Sequence, residues 1–162
     1  MRRSVFFLFT ATLLATVLLA GCSALSADRP THEILRESQI NNGWQMYQIK
    51  LNIPAGSEFP VLLKLGDGDK VDGKFYLEKG NNVNFSINGN SQVYQTQKPT
   101  SGKINSDRFS FTATQAQGSS YTLLFSNPKD SGERAVVFLD MIYPLKSSIF
   151  IPLETKKVEK ED

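Results

Sequence analysis

Hydrophobicity in this chain repeats every two residues over most of its length, and no other feature constrains the fold as strongly. Tyr47, Ile49, Leu51 and Ile53 alternate with Gln48, Lys50 and Asn52. Val71, Gly73, Phe75 and Leu77 alternate with Asp72, Lys74, Tyr76 and Glu78, and Val83, Phe85 and Ile87 with Asn84, Ser86 and Asn88. Side chains two apart share one face of a strand, so this period predicts half-buried strands and not helices. Further strand-like stretches lie at 59–65, 92–97, 109–113, 121–125 and 134–143. The gaps carry turn chemistry: Gly66-Asp67-Gly68, Lys79-Gly80-Asn81, Asn88-Gly89-Asn90 and Asn127-Pro128. Asn88-Gly89 is the pair a two-residue hairpin prefers, since both positions accept positive φ. Together these signals predict an all-β chain, a single antiparallel β-sandwich of about eight strands over residues 44–153. Residues 146–153 add a last edge strand limited by Pro152, and 154–162 form a charged, solvated tail.

Ahead of the strands, Arg2 and Arg3 precede a largely apolar run from Val5 to Ala20, closed by Leu19-Ala20-Gly21-Cys22. A basic start, a short apolar segment and small residues before a cut site describe a secretory signal peptide, here residues 1–21. The run is too short to span a bilayer, which takes ~20 apolar residues. Leu-Ala-Gly-Cys resembles a bacterial lipobox. That resemblance implies that the Cys22 thiol takes a diacylglycerol with palmitate-type chains and that Cys22 becomes the new N-terminus. Residues 22–43 are polar, contain Pro30, and read as a lipidated N-terminus and flexible tether, with Ile34-Leu35 as a candidate short strand. Twenty extended residues reach on the order of 65 Å, so the domain need not touch the membrane. Ser23 after the cysteine resembles an outer-membrane sorting signal. The expected location is the cell envelope: the outer membrane in a diderm, the outer face of the cell membrane in a monoderm.

Cleavage would remove two of the 18 basic residues and none of the 16 acidic ones, leaving 16 against 16. No basic surplus remains to neutralise phosphates, so a nucleic-acid partner is not expected. Cys22 is the single cysteine, which excludes an intrachain disulfide or a cysteine metal site. The one histidine, His32, falls in the expected tether, leaving a serine nucleophile without a histidine base inside the domain. The chain reads as a non-enzyme with no cofactor and no metal. Asp67, Asp69 and Asp72 cluster in one loop, with Glu78 at position twelve, and calcium favours such oxygen sets. Yet Val71 stands at position five and Asp72 where the helical-hand loop needs glycine, so a solvated hairpin loop is the expectation. Trp44, Tyr47, Tyr76 and Tyr94 are candidates for a stacking face or a protein hot spot, with Trp44 and Tyr76 on the polar phase of their strands.

The order of motifs also carries a likeness. Ile53-Pro54-Ala55-Gly56 leads into an apolar strand, then Val71-x-Gly73-x-Phe75, then Asn82-Val83-Asn84-Phe85-Ser86-Ile87. Phe109-x-Phe111-x-Ala113, Gly118, the stretch Tyr121 to Asn127 and the apolar strand Val136 to Tyr143 follow. This resembles the GOLD (Golgi-dynamics) β-sandwich of the Emp/p-twenty-four cargo receptors, and especially bacterial relatives on lipoproteins, over about residues 50–143. The resemblance implies a jelly-roll-like sandwich acting as a binding or assembly module at a membrane. The disulfide, coiled-coil stalk and C-terminal membrane helix of the eukaryotic members have no counterpart here, so vesicle cargo sorting does not carry over. A second likeness is to the pre-peptidase C-terminal type of bacterial sandwich, whose Asp-Leu-Tyr motif is missing. The expected function is therefore a membrane-anchored module that binds another envelope or exported protein. A glycan- or small-ligand-binding lipoprotein and a structural envelope component are the alternatives.

Overall fold

The alternation in the sequence becomes alternation in burial, strand by strand. A computed structural model describes residues 29–41, 43–95 and 106–152. The strands are β1 (Thr31–Asn41), β2 (Trp44–Ile53), β3 (Glu58–Lys64), β4 (Lys70–Lys79) and β5 (Asn84–Asn88). They continue as β6 (Gln92–Gln95), β7 (Ser106–Thr112), β8 (Ser120–Ser126), β9 (Ala135–Pro144) and β10 (Ser148–Phe150). All pair antiparallel, in two five-stranded sheets ordered β1-β2-β9-β4-β7 and β10-β3-β8-β5-β6. The chain is an all-β sandwich.

The topology follows a single rule. β5 pairs with β6, β4 with β7, β3 with β8 and β2 with β9, so the strand numbers in each pair sum to eleven. The chain is a set of nested hairpins wrapped over one core, the jelly-roll arrangement that limits exposed sheet edges. The outermost pair breaks the rule. β1 lies beside β2 in one sheet and β10 beside β3 in the other.

Inward positions of both sheets form one apolar cluster, including Ile49, Leu51, Val61, Leu123, Val137 and Leu139. Phe85 sits at its centre. Its ring lies 4.6 Å from Phe125, 4.9 Å from Phe75, 5.1 Å from Phe109 and 5.8 Å from Tyr94, centroid to centroid. Gly73 occupies an inward position of β4 because the Phe109 ring covers it; a Cβ there would stand 2.2 Å from Phe109 Cζ. The glycine weakens its strand but admits an aromatic ring from the paired one.

Two expectations change. The tether predicted over 22–43 is cut short, because residues 31–41 form an eleven-residue strand paired along β2. The sandwich therefore begins at Thr31 and not at residue 44. The two-residue Asn88-Gly89 hairpin is replaced by a three-residue loop closing at Asn88↔Gln92. Gly89 is not among the positive-φ glycines. It is needed because a Cβ would lie 2.8 Å from the Gln117 carbonyl, a close approach made by the neighbouring connection. The signal peptide 1–21, Cys22 and the tail 154–162 lie outside the described residues.

Removing the Phe85 ring should cost about 3–5 kcal/mol, the range for a fully buried phenylalanine cut to alanine. Urea unfolding of Phe85→Ala checks this, with the midpoint falling and the slope unchanged.

Candidate functional site

The acidic loop does not make a metal cradle. Asp69 is only 5% exposed. Its Oδ2 accepts from the Gly66 amide at 2.7 Å and from Ser147 Oγ at 3.0 Å, and its Oδ1 pairs with Lys146 Nζ at 2.8 Å. Its backbone carbonyl takes the Ala113 amide at 2.7 Å. The carboxylate thus joins the β3–β4 turn to the β9–β10 turn, while the backbone carbonyl of the same residue holds the chain after β7. Burial alone raises the Asp69 carboxyl, but the bonds from Lys146, Gly66 and Ser147 outweigh it and leave the group below its usual value. Asp67 turns away to cap the Gln115 amide at 2.8 Å, and Asp72 pairs with Lys70 at 3.0 Å. Glu78 lies against Lys50 at 2.8 Å. The acids diverge, and among the described residues no group of three His, Cys, Asp or Glu side chains could hold a metal. The loop is solvated at Gly66, Asp67, Gly68 and Lys70, as expected, and Asp69 alone turns inward as a buried clasp.

The four aromatic candidates separate. Tyr47 is buried in the core. Tyr94 spans the β6–β7 side of the sandwich, its hydroxyl donating to Asp107 Oδ2 at 2.7 Å, and burial followed by that carboxylate pushes it up to about 12. Trp44 and Tyr76 share the outer face of the β1-β2-β9-β4-β7 sheet. Trp44 pairs with Pro144, and Tyr76 with Phe138 six residues earlier on β9, so they stand about 20 Å apart. Tyr76 is 48% exposed and stacks on Phe138 at 4.8 Å and 7°. Lys50 sits 5.0 Å from the Phe138 ring centre. This is a local aromatic rung on a flat face and not a continuous aromatic strip.

The region that sequence reasoning missed lies between β1 and β10, where a cleft of about 390 Å³ opens at the side of the sandwich. Ile34 and Glu37 line it from β1, Tyr47 and Tyr143 from the floor, and Ile149 and Phe150 from the opposite rim. Tyr143 donates to Gln45 Oε1 at 2.7 Å. Burial, followed by the Glu37 charge, pushes both tyrosine hydroxyls up to about 12. His32, expected in the tether, is 4% exposed at one end of this cleft, edge-on to Phe59 at 5.7 Å, and its Nδ1 has no hydrogen-bond partner among the described residues. Burial holds its pKa below 6.5, so the ring is neutral at pH 7. The signal for β1 was His32 and Ile34 on one face of the strand, of which only His32 is buried, and the register shift after Ile34 cuts that face off from the rest of the strand.

No protein-family model matches this sequence, and no curated protein matches it either.

The two perturbed groups predict two separate acid steps. His32 has a lowered folded pKa, so its contribution is complete above pH 6.5 and declines as the pH falls from 6.5 toward the folded value. Asp69 also has a lowered folded pKa, so its contribution is complete above about 3.8 and is lost as the pH falls below that through the folded value. Urea midpoints against pH should show both steps, with His32→Gln removing the upper and Asp69→Asn the lower. Asp69→Ala at neutral pH should cost about 1.5–3 kcal/mol, the scale of hydrogen bonds to a charged group. Millimolar calcium or a chelator should leave the melting temperature of the wild-type chain unchanged, which thermal melts in parallel will check.

Proposed function

We propose that this chain is a lipid-anchored, extracytoplasmic envelope lipoprotein, held in the membrane by lipid on Cys22. Its β-sandwich serves as a non-catalytic module that binds another envelope or exported protein. The observation that carries this reading is β1, an eleven-residue strand at the edge of its sheet, with Ile34, Leu35 and Ile40 exposed. A long edge carrying apolar side chains is a template for another chain unless a partner covers it. The resemblance to GOLD sandwiches supports the same role. The non-catalytic reading is supported by His32, the single histidine, which is spent on packing against Phe59.

A glycan- or small-ligand-binding role is the second reading, favoured by the exposed Tyr76 stacked on Phe138. It stands second because Trp44 is too far along the face to share one sugar with that pair. A structural envelope component is the third.

Growth of a bacterial host with labelled palmitate should mark the wild-type chain, and Cys22→Ala should lose both the label and membrane retention. Crosslinking and co-purification of the anchored form should enrich one specific protein that the Cys22→Ala sample does not. Retention of the chain on cell-wall polysaccharide, with no protein enriched, would move the assignment to glycan binding.

A further inference from the structure

The two sides of the sandwich differ. On one, Tyr94 bridges from β6 to Asp107 on β7 at 2.7 Å and closes the gap between the sheets. On the other, no hydrogen bond or ion pair joins β1 to β10 among the described residues, and the cleft of about 390 Å³ lies between them. This is where the nesting rule fails: every inner pair closes, and the outermost pair stays open.

The rims and the floor of that opening specify an occupant. Both rims are sheet edges, so each presents backbone donors and acceptors on its outer side, which an extended polypeptide can satisfy along its whole length. Apolar side chains stand at its mouth, where Ile34 is 45% and Phe150 62% exposed, with Ile149 half-buried behind them, while most of the remaining lining is polar, from Gln45, Ser147, Ser148 and the tyrosine hydroxyls. A strand laid there would send every second side chain into the gap and the others to solvent. Glu37 is exposed at the same cleft and forms no ion pair among the described residues. Its charge already raises the hydroxyls of Tyr47 and Tyr143, so a cation placed there would be favoured over a neutral or acidic group.

We propose that the cleft between β1 and β10 receives an extended segment of the partner protein, laid along β1. Apolar side chains of that segment pack on Ile34, Ile149 and Phe150 at the mouth, and a lysine or arginine faces Glu37. The inference rests on the protein-binding reading above and assigns the site and chemistry of that binding.

The probe is a dye-labelled, end-blocked nonapeptide alternating valine and threonine with one central lysine, titrated onto the full chain in lipid nanodiscs by fluorescence anisotropy. Saturable binding is expected, weakened at least roughly tenfold by Phe150→Asp. Glu37→Gln should weaken it roughly three- to tenfold, and exchange of the peptide lysine for glutamate should weaken binding to the wild-type chain similarly. Tyr76→Ala, on the outer face, should leave it unchanged. Circular dichroism confirms folding of each variant, and Ile34→Asp replaces Phe150→Asp if that variant unfolds. Absence of saturable binding, or binding indifferent to both cleft substitutions, overturns the proposal. A partner captured from membranes whose capture survives Phe150→Asp and Glu37→Gln overturns the cleft alone and leaves the assembly module standing. Failure to enrich any partner overturns the assembly reading itself.

Discussion

Everything in this sandwich depends on the packing of Phe85 between its two sheets. The ring belongs to β5 in one sheet and meets Phe75 and Phe109 from the other at 4.9 and 5.1 Å. Aromatic pairs at such distances contribute beyond the area they bury. Phe85 also sits on the innermost of the nested hairpins, whose strands are separated by a three-residue loop. Closing that hairpin costs the least chain entropy, whereas β2 and β9 must meet across most of the domain. The central ring is therefore carried by the strand pair that is easiest to form, and the outer pairs close over it.

One end of the sandwich is tied by polar groups and not by apolar ones. Asp69 gathers Gly66, Lys146 and Ser147, while Asn90 and Ser91 bond to the 115–117 connection through Gln117 and Ala116. Lys146 is largely solvated, so its Coulomb contribution is screened and the buried hydrogen bonds of Asp69 matter more. At the opposite end, Asn127 does similar work, donating from Nδ2 to the carbonyls of Ile53 and Glu133 at 2.9 Å each. The sheets are thus held face to face by hydrocarbon and end to end by single polar residues.

The inner strands were legible in two ways: β2 from its alternation, and β3, β8 and β9 as apolar stretches of strand length between turn signals; from Tyr47 onward all four bury every second residue. β1 was not, for a physical reason. Register shifts beside Leu35 and between Gln39 and Asn41 change which residues face inward, and an edge strand needs few apolar residues to stay in place. The acidic loop was legible as a solvated turn except at Asp69. Spacing alone cannot tell a carboxylate that faces water from one that turns inward to bind amides, and Asp69 turns inward. Gly89 was read as a turn residue, although a neighbouring carbonyl, remote in sequence, is what excludes a side chain there. The lateral cleft depends on β1 and β10 lying in different sheets, which no local pattern encodes.

The early start of β1 also changes how the domain would stand in an envelope. Under the proposed lipidation of Cys22, nine residue steps separate the anchor from Thr31, at most about 30 Å of chain. That leash is no longer than β9 itself, whose ten residues extend about 33 Å. Thr31 pairs with Asn52, and Asn52 with Val136, so the end tied to that anchor would carry the turn after β2 and the connection before β9. β1 would then rise away from the surface, with the side opening running beside it. A domain on so short a leash samples only a thin layer of the envelope, and any client chain would have to come within that layer to be caught.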